Sequence, residues 1–318
     1  MSFLLDQRAR RVKEYVESFG LTAPVPQDKP LDTLTSAWRV YWVNSCVPRD
    51  KKLRPLQAMR DVSLTRYHSF LEILPQNNYT KFTDDEFRFA VLHRLRLLTP
   101  FPVKCSNSET PPELMRRLSA AEISRTEFTG HLQSCCSCAK FLFSRRHEAV
   151  VGAIKRVCKF HGYDCRVLSH QQRTLTLPGN ARGGADILLY HNGTTYAMDA
   201  TVVKETSPSE TTKNAMTKAF RKKMQQYEEY AKKTKHVVLP FVMSVYGLIA
   251  PETLNALRPI FRVHRTDVDF RSDVLSIPQC CMLKATSAAI MEIESMNKLN
   301  GMPISIPIFT PSPPTPHP

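Results

Sequence analysis

No run of about eighteen apolar residues occurs in the 318-residue chain, so the sequence predicts no transmembrane helix. The N-terminus, MSFLLDQRARRVKEY, turns charged after five residues and lacks the apolar region of a secretory signal. A disulfide framework is also missing. The nine cysteines are odd in number and uneven in place, with five in Cys105–Cys158 and an adjacent pair at Cys280 and Cys281. Such usage suits a reducing compartment and metal binding, and with no signal segment it points to a nuclear or cytoplasmic protein without a membrane partner. Acidic residues are scarce: 29 Asp and Glu stand against 44 Lys and Arg, a net charge of +15. That surplus predicts an acidic partner, nucleic acid first; solubility alone is the plainer explanation. No internal repeat is present.

The sequence is most informative at GGADILLYHNGTTYAMDATVV, Gly183 to Val203. Two apolar runs, Ala185–Tyr190 and Thr195–Val203, flank His191-Asn192-Gly193-Thr194. Asn-Gly between such runs is a hairpin signal, because both residues tolerate positive φ. Each expected strand carries one carboxylate, Asp186 in the first and Asp199 in the second. A buried acid without a partner costs several kcal/mol, and two on paired strands repel each other unless a cation compensates. The pair therefore predicts an oxygen-ligand site for Mg²⁺ or Mn²⁺.

Phosphodiester cleavage with such a metal also needs a cation for the charge that builds on phosphorus. The simplest place for it, two residues after the second acid, holds Thr201. Lys204 falls on the opposite strand face if the strand continues. Lys223, in the Lys-rich helix expected over 211–233, is the better candidate, with Tyr227 one turn on. Lys222 beside it is a candidate nucleic-acid contact; a solvated basic face is the bland reading of this helix.

A helix with an apolar stripe at Ala149, Val150, Ala153, Ile154 and Val157 opens with Arg145, Arg146 and His147, candidates for contact with backbone phosphates. Arg146 and His147 have a second reading, as residues that lock the helix to the sheet, and Glu148 is a candidate outer carboxylate. Cys105, His131, Cys135, Cys136 and Cys138 offer ligands for structural Zn²⁺, although Cys105 has no second cysteine two to four residues on. Unmetallated cysteines at a helix entry are the alternative. Upstream, Thr83 to Glu86 is a capping-box pattern leading into a helix to about Leu98, whose exposed face should be basic through Arg88, His93, Arg94 and Arg96. Helices are also expected over 2–19, 31–47, 56–74, 113–127 and 286–296, and strands over 165–168, 174–177 and 236–245. From Ser144 to Val245 the order is helix, strand, strand, strand, helix, strand, an α/β layered unit with a mixed sheet.

The ordered set from about Thr83 to Ala250 resembles the C-terminal region of reverse transcriptases from site-specific non-LTR retrotransposons, which holds a Cys/His zinc knuckle followed by a restriction-like endonuclease of the PD-(D/E)XK superfamily. Cys105, His131 and Cys135 or Cys136 match the knuckle, which has one further cysteine, and Arg146-His147 matches the helix start. Asp186 matches the first acid, with Ala185 where the family has proline. Asp199-Ala200-Thr201-Val202-Val203 matches the second, Lys223 ahead of Tyr227 the shifted lysine, and Leu239–Gly247 a family strand. The resemblance implies a PD-(D/E)XK-like mixed sheet flanked by helices and Mg²⁺-dependent hydrolysis of DNA. No polymerase is legible, for no acidic doublet lies in a strand-turn context. The implied organisation is a helical N-terminal region at 1–100, a zinc-knuckle linker at 101–143, an endonuclease core at 144–262, a helical extension at 263–300 and a Pro-rich disordered tail at 301–318. An inactive nucleic-acid-binding protein that keeps the fold is the alternative, and an assembly protein of a virus or mobile element a third.

Overall fold

The computed structural model describes residues 80–94, 96, 98–135, 140–168, 185–204, 212–261 and 268–299. All lie within one compact unit, Gln57–Ile304. The helices expected over 2–19, 31–47 and 56–74, the strand over 174–177 and the Pro-rich tail fall outside the described residues.

Among the described residues, four helices precede the sheet: α1 Asp84–Arg94, α2 Pro112–Ser119, α3 Arg125–Ser134 and α4 Lys140–Phe160. The capping box at the start of α1 forms as the sequence demands. Thr83 N–H donates to Glu86 Oε2 at 2.8 Å, and Glu86 N–H to Thr83 Oγ1 at 3.2 Å. The helix stops at Arg94, short of Leu98, and Arg96 takes a left-handed φ of 60°. The single helix expected over 113–127 is two, α2 and α3, separated by a turn in which Ala121 has φ 57°.

β1 (Asp164–Val167), β2 (Ile187–His191) and β3 (Thr194–Val203) form an antiparallel meander. Asn192 and Gly193 make the β2–β3 turn with φ of 48° and 71°, the positive values that turn chemistry predicts. After β3 come α5 (Thr212–Gln226), α6 (Glu228–Thr234) and β4 (Val237–Ser244), which lies parallel to β3. The sheet order is β1-β2-β3-β4, a four-stranded mixed sheet. Pro240 sits on the outer strand, where a missing N–H is tolerated. Its carbonyl accepts from Thr253 Oγ1 at 3.0 Å, and Thr253 Oγ1 in turn accepts from Val242 N–H at 3.0 Å.

Two helices follow, α7 (Pro251–Phe261) and α8 (Val268–Leu299). The 32-residue α8 lies within the helical extension expected over 263–300, in which only Thr286 to Met296 carries a clear helical pattern and the rest a weak one. The reason is burial on most sides: Val274, Leu275, Cys280, Met282, Leu283, Ala289 and Ile290 are all inside, which removes the polar–apolar contrast that marks a surface helix. Its Thr286 and Ser287 hydroxyls donate to the carbonyls of Met282 and Leu283, which makes their burial tolerable. α8 shares one core with α4 and the sheet, through Phe270, Val274 and Leu283 against Val150, Ile154, Ile187 and Phe241. Asp273–Met296 is long and apolar enough to cross a membrane by length and composition, but 72% of its most apolar window is buried inside the fold, as in a core helix.

Candidate active site

Asp186 immediately precedes β2, and Asp199 lies within β3. The paired register ends at Ile187 with Met198, one residue short of each acid. Asp186 N–H donates to Met198 O at 2.8 Å, which ties Asp186 to β3 just beyond the paired register. Both carboxylates are inside, at 1% and 4% exposure.

The sequence predicts two acids that repel unless a cation intervenes. Each has a partner from the protein itself. His147 Nε2 on α4 is 3.1 Å from Asp186 Oδ2, and the Ala200 N–H donates to the same oxygen at 2.8 Å. Lys223 Nζ on α5 is 2.6 Å from Asp199 Oδ2. The lysine beside the second acid thus comes from the next helix, not from the strand position held by Thr201. Burial pushes the Asp199 carboxyl up to about 6; the charge of Lys223 opposes the rise and that of Asp186 adds to it.

Tyr227 is buried and breaks the single helix expected over 211–233 into α5 and α6. Its ring packs with Tyr230, Leu168, Ala185, Ala197 and Val238 under the hairpin. Burial, then the charges of Asp199 and Asp186, raise its phenol above the ordinary range, so it stays a neutral hydroxyl beside the acids. Lys222 is exposed, as are Lys213 and Arg221 on the same helix.

Adjacent residues on a helix point about 100° apart, and α4 shows the consequence. His147 faces the acids. Arg146 is 1% exposed; its Nε donates to Thr286 Oγ1 at 3.0 Å and its Nη2 to Gln133 Oε1. Arg146 therefore does not face a phosphate; it locks α4 to α8 and α3. Arg145 lies on the surface and pairs with Glu292, and Glu148 is exposed. The expected basic face of α1 is corrected in the same way. Arg88 is exposed, but His93, Arg94 and Arg96 are buried.

Among the described residues, one trio of His, Cys, Asp or Glu has ligand atoms all within 4.8 Å of one another: Cys105, His131 and Cys135. The Cys105 and Cys135 sulfurs are 3.4 Å apart, too far for a disulfide and near enough to share an ion. Burial lowers the His131 pKa and so favours the neutral, ligating imidazole. Cys136 and Cys138 lie outside the described residues. The acid pair needed only hairpin logic to find, whereas the bond from His147 to Asp186 was not predicted, because no spacing rule links residues 39 apart in the chain. No protein-family model matches this chain, and no curated protein does.

Proposed function

We propose that the protein is a metal-dependent endonuclease that hydrolyses DNA, with a PD-(D/E)XK-like core related to the restriction-like endonucleases of mobile elements. The observation that carries this reading is the closeness of two buried acids, Asp186 and Asp199, one residue beyond the Ile187–Met198 pair, with Lys223 Nζ 2.6 Å from the second acid. The order helix, three-stranded meander, helix, parallel strand supports it, as does the net charge of +15.

The donor set fits a hard divalent cation: both carboxylates are buried, and burial together with the charge of Asp186 pushes Asp199 up to about 6. Bound Mg²⁺ or Mn²⁺ supplies Lewis-acid polarisation of a phosphodiester oxygen. The residues do the rest. Asp186 and Asp199 bind the ion; His147 and the Ala200 N–H orient the Asp186 carboxylate. Lys223 holds a positive charge where the scissile phosphorus gathers negative charge. Tyr227 fixes the end of α5 and so the reach of Lys223. Lys213, Arg221 and Lys222 supply contacts to the DNA backbone. Cys105, His131 and Cys135 bind structural Zn²⁺, with Cys136 or Cys138 as the fourth ligand.

One observation favours a second reading, an inactive nucleic-acid-binding protein on the same fold. Each acid has a side-chain partner from the protein, His147 at 3.1 Å from Asp186 and Lys223 at 2.6 Å from Asp199. Incubation of plasmid and single-stranded DNA with Mg²⁺, wild type against Asp199→Ala, separates the two. Cutting by wild type alone supports the enzyme. Equal, salt-dependent binding with no cutting by either protein supports the second reading.

A further inference from the structure

Two cysteines belong neither to the acid site nor to the proposed zinc trio. Cys158 lies two residues before the end of α4 and is fully buried; Cys165 lies in β1 and is half-buried. Both are free thiols. β1 is an end strand of the sheet, so Cys165 has a neighbouring strand on one side only among the described residues.

The turn between them brings the two side chains together. Tyr163 N–H donates to Cys158 O at 2.8 Å and Gly162 N–H to Lys159 O at 3.1 Å, with Gly162 at φ 75°. That is a Schellman end to α4, which turns the chain back at once. β1 then returns to α4, and the Cys165 thiol donates to Lys155 O at 3.8 Å. Helix side chains lean toward the N-terminus, over the carbonyls three and four residues earlier. The carbonyl three residues before Cys158 is that of Lys155, so both sulfurs lie over the same turn of α4. The two side chains hydrogen-bond each other there.

The pair is chemically asymmetric. The hydrogen bond from Cys158 pulls the Cys165 thiol below its ordinary range; burial opposes this, and the charges of Lys159 and Lys155 assist it. The same bond and burial push the Cys158 thiol up. The thiolate is the nucleophile toward a peroxide, so Cys165 is the reactive member and Cys158 the resolving one. Cys280 and Cys281 on α8 give the contrast, since burial pushes both of those thiols up.

We propose that Cys165 and Cys158 form a reversible redox pair: a hydroperoxide oxidises Cys165, and Cys158 then closes a disulfide that staples the end of α4 to β1. With hydrogen peroxide, the Cys165 sulfur attacks one oxygen and the O–O bond breaks. The other oxygen leaves with the thiol proton as water, and Cys165 becomes a sulfenic acid. The Cys158 sulfur displaces the sulfenic oxygen, which departs with the Cys158 proton as a second water. Two thiols and one peroxide thus become one disulfide and two waters, and a thiol reductant reverses the change. Reversible, redox-sensing disulfides are the kind found in reducing compartments. The pair is independent of the nuclease reading, since the proposed catalysis uses neither thiol.

The experiment is treatment of the reduced full chain with stoichiometric hydrogen peroxide, followed by alkylation of the remaining thiols, trypsin and mass spectrometry. Cleavage after Arg156, Lys159 and Arg166 places Cys158 and Cys165 on separate peptides, 157–159 and 160–166. Wild type should yield these two peptides joined by a disulfide, and dithiothreitol should part them. In Cys158→Ala, Cys165 should stop at the sulfenic acid, which dimedone labels. In Cys165→Ser the joined peptides should be lost and Cys158 should stay reduced. Should Cys158→Ala fail to fold, Cys165→Ser, at a half-buried position, carries the test. The proposal is overturned if wild type leaves both thiols reduced while other cysteines oxidise. It is equally overturned by a disulfide from Cys165 to any other cysteine, or by oxidation of Cys158 to the same extent in Cys165→Ser.

Discussion

Lys223 Nζ stands 2.6 Å from Asp199 Oδ2, although the two residues belong to different elements, α5 and β3. The contact places a fixed cation beside an acid that burial and the charge of Asp186 push up to about 6.

Lys223→Met should therefore reduce Mg²⁺-dependent cleavage by about 10²–10³-fold, the range for loss of one transition-state charge partner. DNA affinity, measured by fluorescence anisotropy, should change little, because the exposed Lys213, Arg221 and Lys222 remain. The charge of Lys223 lowers the Asp199 pKa, so its removal should push Asp199 higher than about 6 and move the acid limb of the pH–rate profile to higher pH. Wild-type cleavage rates in Lys223→Met would remove the residue from the mechanism.

His93 sets an acid limit on stability. Its pKa is about 3 in the fold and about 6.5 in the unfolded chain, so the unfolded state binds more protons between those values. Its contribution is fully present above about pH 6.5 and is lost as pH falls, by up to about 1.4 kcal/mol per unit. Urea unfolding of wild type and His93→Leu from pH 7.5 to 4.5, in phosphate-free buffer, should show a steeper acid loss for wild type. Parallel profiles would mean that His93 titrates normally in the fold.

Protein purified under reducing conditions should carry about one zinc per chain by metal analysis, as one Cys/His site requires. Cys105→Ser should lose it and unfold at lower temperature, and a chelator should lower the Tm of wild type but not of the variant. Cys280→Ser, in a buried cysteine of α8, should keep the full metal content. Zinc-free wild type with a chelator-insensitive Tm would leave the trio as ordinary packed side chains.

Gly247 and Gly152 make a contrast in backbone strain. Gly247 has φ of +87°, and a Cβ there would stand 3.3 Å from Leu283 Cδ1. Gly247→Ala should cost about 1–2 kcal/mol from the left-handed backbone alone. Gly152 is inside α4, where an added Cβ meets only Arg156 Nη1 at 3.5 Å, an ordinary contact. Gly152→Ala should be neutral or stabilise by up to about 1 kcal/mol. Chemical denaturation of both variants checks the sign of each.

Local chemistry decided the hairpin and its acids. Asn192-Gly193 permits one tight turn; the turn sets the register, and the register brings Asp186 and Asp199 to the same end of the β2–β3 pair without reference to the rest of the chain. The capping box of α1 and the strand at Val237–Ser244 were legible for the same reason, since each depends on neighbours a few residues apart. α8 was not legible. A helix buried on most sides loses its amphipathic period, and only packing against α4 and the sheet holds it together.

The side-chain assignments divide along the same line. Sequence could say that this chain carries paired acids, a Lys-rich helix, clustered cysteines and an excess of arginine. It could not say which basic groups face water. Arg146 and His147 are neighbours in sequence, yet one turns into the α3–α8 interior and the other toward Asp186, because the helix rotates about 100° between them. Likewise His93, Arg94 and Arg96 read as a solvated face and lie buried. Residue type sets what a group can do chemically. Whether it meets a carboxylate, a neutral acceptor or solvent depends on contacts between elements distant in the chain, and those exist only once the helices close over the sheet.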